Sequence, residues 1–233
     1  LFIAVVIGEL YYARVRSPSQ LLKTAALYVL LLVVIPLSIY TLSYIPYFMG
    51  SSNTNFATFI YSLQGYMLDY HTNGTKNATH PYSSHWWSWP LLVKPLSVFF
   101  WQDNNGSASS VVLMGNPAIW WTGIVTTVAT LITGFKSWQM LPWYLCLMVF
   151  SLYLPWILAS RISFIYYFYS TTPFWILTIV YIIEQFKLKP IIYYFYIFTV
   201  IAMFIFFYPT LSGIMYSRSF VVHYLLWFNS WNF

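Results

Sequence analysis

Pro190-Ile-Ile-Tyr-Tyr-Phe-Tyr-Ile-Phe-Thr-Val-Ile-Ala-Met-Phe-Ile-Phe-Phe-Tyr208 carries no charged side chain, and apart from its tyrosines Thr199 is its one polar residue. A helix needs roughly 20 predominantly apolar residues to cross the hydrocarbon core of a bilayer. Proline at the first turn forfeits no intrahelical hydrogen bond. The segment therefore reads as a membrane span. Further charge-free runs cover 24–68, 104–135, 137–160 and 162–183, and this one extends over 190–217. The chain is 60% hydrophobic and 6% charged, so too little polar surface remains to wrap these segments in a soluble domain. The fold class this implies is all-α, a polytopic integral membrane helical bundle.

Working outward, complete spans fall at about 21–44, 117–135, 142–158, 164–183 and 190–208, the first closed by Pro46. Residues 1–13 are apolar but too short to cross fully, and no basic region precedes them. They read as the end of a transmembrane helix that begins before residue 1, so the chain is expected to be part of a longer protein. Five regions follow: that helix end, 1–13; a basic turn and transmembrane helix, 14–48; a long connection, 49–116; four transmembrane helices, 117–208; and a tail, 209–233. Arg14, Arg16, Lys23, Lys136, Lys187 and Lys189 fall in short loops on one side if the spans alternate. The positive-inside rule makes that side cytoplasmic and puts the long connection and the tail outside. The sequons Asn73-Gly-Thr75, Asn77-Ala-Thr79 and Asn105-Gly-Ser107 all lie in that connection, a weak corroboration. The formal charge of +6 belongs to these span flanks and calls for no nucleic acid. A lone Cys146 excludes a disulfide framework and a cysteine-based metal site.

Apolar residues at 56, 59, 60, 63, 66, 67 and 70 form a helical stripe inside the connection. The expectation is an amphipathic helix on the membrane surface or against the bundle, with packing favoured over a substrate groove. Downstream, the connection gathers the hydroxyls, imidazoles and indoles of an otherwise greasy chain in His80-Pro-Tyr-Ser-Ser-His-Trp-Trp-Ser-Trp-Pro90, followed by Gly115-Asn-Pro-Ala-Ile-Trp-Trp121. Indoles suit a membrane–water boundary, and they equally suit stacking against sugar rings.

Both motifs, in this order, resemble the C-terminal multi-spanning region of protein O-mannosyltransferases. So does a third, Arg161-Ile-Ser-Phe-Ile-Tyr-Tyr-Phe-Tyr-Ser-Thr-Thr-Pro-Phe174, which is similar to the family's Arg-x-x-Phe…Pro-Phe segment. Its Tyr166-Tyr167-Phe168 and Ser170 are closer to prokaryotic members. The resemblance implies a fold of the GT-C glycosyltransferase type, with the active site on the extracytoplasmic face. It implies transfer of mannose from a polyprenyl (dolichyl) phosphate to Ser or Thr of exported proteins, with inversion and without a cofactor or metal. The expected partners are the lipid-linked mannose, the acceptor protein, the bilayer and the missing N-terminal part of the enzyme. The membrane would be the cell membrane in a prokaryote and the endoplasmic reticulum in a eukaryote.

Such chemistry needs a base for the acceptor proton and a cation or dipole for the departing phosphate. Of four carboxylates, Glu184 sits with Lys187 and Lys189, Glu9 lies near a basic helix end, Asp69 ends the stripe and Asp103 occupies a turn-like Gln-Asp-Asn-Asn-Gly. None is paired for activation. The resemblance agrees, since the family's base lies in a first external loop that this chain does not contain, and 1–233 alone is expected to be inactive. His71, His80 and His85 have spacings of nine and five, unlike helix-borne metal pairs. The candidate substrate-binding residues are His80, Tyr82, Ser84, Trp86, Trp87, Trp89, Asn116, Trp120 and Arg161. For the indoles, plain interfacial anchoring stands beside sugar binding; Asn116 with Pro117 most simply starts a helix. Arg161 has no acidic neighbour in sequence, and reads either as a snorkelling anchor or as the cation that holds a lipid phosphate. Two other classes remain open, a non-catalytic membrane subunit and, less favoured because its charges cluster at span ends, a transporter.

Overall fold

The computed structural model describes residues 17–52, 55–74, 78–137, 139–159, 161–231 and 233. The expected helix end over 1–13 and the basic residues of the first turn lie outside these residues. The chain divides into two compact units, 1–77 and 78–233.

In the first unit, Ser17 and Gln20 form a reciprocal capping box ahead of Pro18, which starts the helical span α1, Pro18–Met49. The span widens to a π turn at Leu30–Val34 and breaks at Ser43–Tyr44. Pro46 does not close it as the sequence suggested, because a proline in the first turn of the next helical piece, Ile45–Met49, is tolerated. The striped helix is present as α2, Phe56–Asp69, with Asn55 Oδ1 accepting from Thr58 N at 3.0 Å as its N-cap. Phe56 and Phe59 pack edge-on against Phe48 and Tyr47, and Tyr40 donates to Gln64 at 2.9 Å. Tyr66 and Tyr70, at the far end of the stripe, remain exposed.

Among the described residues the second unit has four long helices, besides shorter helical turns: α3, Pro117–Ser137; α4, Met140–Tyr153; α5, Thr172–Gln185; and α6, Pro190–Ser212. Four helical stretches of the described residues are long and apolar enough to cross a membrane, namely 18–49, 117–137, 140–158 and 190–212. The expected span 164–183 differs: Ile165–Thr171 is a 3-10 turn and only the remainder is α-helical. Pro173 sits in the first turn of α5, where it has no N–H with which to continue an α-helix from the preceding turn. Small and hydroxyl residues let α3 and α5 approach closely, as in membrane helix pairs generally. Thr126 and Thr178 share a hydrogen bond of 2.9 Å, and the Trp175 ring lies over Gly123, where a Cβ would come within 2.5 Å of it.

One element departs from the all-helical expectation. Leu96–Gln102 (β1) and Ser107–Leu113 (β2) form an antiparallel hairpin within what was read as an irregular connection. Its turn is closed by Asp103, whose Oδ1 accepts from Asn105 N at 3.0 Å and Ser107 N at 2.7 Å, with Gly106 at φ +84°. The tail is ordered as well. α6 continues past the expected end at 208, Gly213 turns the chain at φ +75°, and Tyr216–Ser217 (β3) joins β2. Tyr216 donates its hydroxyl to Ser110 Oγ at 2.8 Å, and Ser109 Oγ donates to the Gly213 carbonyl at 2.6 Å.

Candidate functional site

The three motifs singled out in the sequence meet at one end of the second unit. Ser84 N donates to the Ser163 carbonyl at 2.9 Å, and Ser163 Oγ donates to the Ser84 carbonyl at 3.0 Å. This two-bond clamp joins the Trp-rich loop to the Arg161 segment across 79 residues. Beside it, His80 rests edge-on against Phe164 at 5.1 Å between centroids, and its Nδ1 accepts from Tyr82 N at 3.2 Å. Ser84 Oγ accepts from the Trp89 indole at 3.0 Å. The half-buried Ser84 and Ser163 and the buried Trp89 indole thus each have a partner, as burial demands.

Arg161 is half-buried. Its guanidinium reaches the Tyr167 hydroxyl at 3.4 Å and lies 5.5 Å from the centre of the Tyr167 ring. Tyr167 is in turn stacked on Trp156 at 4.3 Å and flanked by Trp89. An aromatic face beneath a guanidinium fixes the plane of its donors. In the sequence Tyr166, Tyr167 and Tyr169 read either as added hydrogen-bonding groups or as aromatic-belt residues, and Tyr153, Trp156 and Ser163 give no signal of their own. Tyr153 donates to the Trp86 carbonyl at 3.2 Å. The nearest signal for these was the Pro155-Trp156 pair just ahead of Arg161.

The candidate residues separate by exposure. His80, His85 and Trp87 are exposed, with Trp87 stacked on His85; Tyr82, Ser84, Trp86, Asn116 and Arg161 are half-buried. Trp89 and Trp120 are 0% and 1% exposed, packed inside the protein. Trp89 backs the loop, and Trp120 sits in a box of Phe168, Tyr169 and Trp175. Asn116 uses both ends of its amide on the protein: Oδ1 accepts from Ala118 N at 3.0 Å, and Nδ2 donates to the Val200 carbonyl at 2.9 Å. It therefore caps α3 and ties it to α6. Among the described residues no three His, Cys, Asp or Glu side chains gather as a metal set. Asp103 is consumed by its turn, and Glu184 is exposed at the end of α5.

A bundle of apolar helices with an aromatic cluster beside Arg161 at one end defines a multi-pass membrane protein. A model of the C-terminal four-transmembrane region of protein O-mannosyltransferase matches residues 55–231, and the chain belongs to that family. Polyprenol-phosphate-mannose–protein mannosyltransferases of two Mycolicibacterium smegmatis strains, ATCC 700084 / mc(2)155 and MKD8, are each 26% identical over 244 residues. The alignment covers 84% of this chain and 45% of theirs, so the chain spans about half the length of these curated relatives. The structure of the Saccharomyces cerevisiae protein O-mannosyltransferase Pmt1–Pmt2 complex bound to the sugar donor is similar in fold. Its TM-score is 0.62 at 23% identity, over 78% of this chain and 28% of that one.

Proposed function

We propose that this chain forms the donor-binding membrane module of a protein mannosyltransferase. The enzyme would move mannose from a polyprenyl phosphate to Ser or Thr hydroxyls of exported proteins, with inversion, on the extracytoplasmic side. The observation that carries the reading is the clamp of the Trp-rich loop against the Arg161 segment, which puts a guanidinium on an aromatic floor beside hydroxyls and imidazoles. A lipid-linked donor keeps its isoprenoid chain in the bilayer, so its phosphate has to be met at the end of a helix bundle. Arg161 would hold that phosphate and offset the charge that grows on it as the glycosidic bond breaks. The base that takes the acceptor proton belongs, on this reading, to the part of the enzyme outside 1–233, because Asp103 accepts from its own turn, Asp69 accepts from Asn73 and Glu184 lies exposed at the end of α5. The same shortage of acids favours one second reading, a non-catalytic subunit that binds the lipid-linked sugar for a partner.

Arg161→Ala and Arg161→Lys in the full-length enzyme separate these functions from simple interfacial anchoring. Loss of a charge-assisted phosphate contact is expected to weaken donor use by about ten- to hundredfold, roughly 1.5–3 kcal/mol, with acceptor use little changed. Lys should restore only part, because it lacks the planar fork. Steady-state kinetics with varied donor, corrected for folded protein, read the outcome; unchanged donor dependence in the Ala variant returns Arg161 to an anchor. Donor binding without any transfer by the complete protein would instead select the subunit reading.

A further inference from the structure

Leu92 adopts φ +56°, a left-handed backbone that leucine disfavours, while its side chain is 0% exposed. It lies two residues after Pro90 of the Trp89-Pro90 pair, so the strained residue terminates the candidate site loop. Local bonds account for part of its hold: Leu92 N donates to the Trp89 carbonyl at 2.9 Å and Val93 N to the Ser88 carbonyl at 3.2 Å. The remainder arrives from 139 residues away. The buried Trp231 indole donates to the Leu92 carbonyl at 2.7 Å, and Ser230 donates its hydroxyl to the Val93 carbonyl. Trp231 is anchored by rings on both sides, lying 5.8 Å from Phe207 of α6 and 5.9 Å from Trp227.

We infer that Trp231 is a positioning residue for the donor site: its indole N–H clasps the left-handed Leu92 and so sets where the 84–93 loop stands against Tyr167 and Arg161. The connection is contiguous. Trp231 bonds Leu92, Leu92 bonds Trp89, the Trp89 ring packs 6.2 Å from Tyr167, and Tyr167 lies under the Arg161 guanidinium. A backbone held in a disfavoured region relaxes once the contact that fixes it is removed. The clasp therefore acts on site geometry more than on the bundle, whose helices pack without it. This inference rests on the donor-binding reading above.

The test uses Trp231→Phe in the full-length enzyme, which keeps an aromatic ring in place and deletes the N–H, with Ser230→Ala as a milder second variant. Hydrogen–deuterium exchange of peptides spanning 84–93 is compared with that of peptides from 117–137. The loop amides are expected to exchange about fivefold to tenfold faster in Trp231→Phe while those of α3 are unchanged. The kcat/KM for a polyprenyl-phosphate-mannose donor should fall by a similar factor, with acceptor-peptide KM unaltered. Ser230→Ala should move both readouts the same way by less, and it carries the test if Trp231→Phe does not fold. Unchanged loop exchange in folded variants overturns the clasp. Faster exchange with unaltered donor kinetics overturns its role in positioning. Exchange is read without turnover, so an unmodified enzyme that transferred no mannose would contradict the donor reading while the clasp was still judged.

Discussion

Gly115 and Asn116 show what single positions contribute. A Cβ at Gly115 would stand 1.9 Å from the Trp120 indole, which its aromatic box prevents from moving aside. Gly115→Ala is expected to destabilise by about 1–3 kcal/mol through overpacking, seen as a lower melting temperature in detergent. Asn116→Ala loses a cap, for which about 1 kcal/mol is typical, and removes the tie from α3 to the Val200 carbonyl of α6. Its loss should appear in the same melting assay rather than in donor affinity; a donor effect at full stability would restore Asn116 to the site. The helix start at Asn116-Pro117 was legible because capping chemistry is local. The burial of Trp120 was not, since an interfacial indole and a boxed one leave the same mark on a sequence. Two-residue neighbours make the point again: Trp87 is 53% exposed and Trp89 is 0%.

Among elements, helices were legible through their apolar length and their first-turn prolines, whereas the hairpin was not. Leu96-Ser-Val-Phe-Phe-Trp-Gln102 lacks strict alternation, and its aromatic run merges with the apolar background of the whole chain. The Asp-Asn-Asn-Gly turn was recognised without its flanking strands. Asp103 accepts two backbone N–H bonds there, so Asp103→Ala should loosen the turn by about 1 kcal/mol and speed amide exchange at Asn105 and Ser107. Unaltered exchange would show the turn to be held by its glycine and strands alone. The clamp between motifs behaves similarly. Ser163→Ala removes the side-chain bond but keeps the backbone one, so a loss of about 1 kcal/mol or less is expected in melting. The clamp was invisible from either motif by itself because its partners are far apart in sequence.

At the scale of the second unit, the site and three lysines occupy opposite ends of the helices: Lys136 lies in the last turn of α3, and Lys187 and Lys189 join α5 to α6. On the proposed orientation, a cysteine at His85 should react with an impermeant maleimide from the extracytoplasmic side, and one at Ser137 only after permeabilisation. The opposite pattern would invert the topology and move the site into the cytoplasm. Buried Cys146 should contribute little background. The tail that closes the sheet also governs when this end of the molecule can exist. Bonds from Ser110 to Thr210, Tyr216 to Ser110 and Trp231 to Leu92 span 100, 106 and 139 residues. Contacts of such separation are slow to form and come after local ones. The Trp-rich loop must therefore leave the ribosome and wait, unpinned, while α3 to α6 enter the bilayer. A nascent chain stopped before residue 210 would hold its membrane helices yet lack a finished site, which makes the end that carries the Trp-rich loop the last part of this unit to fold.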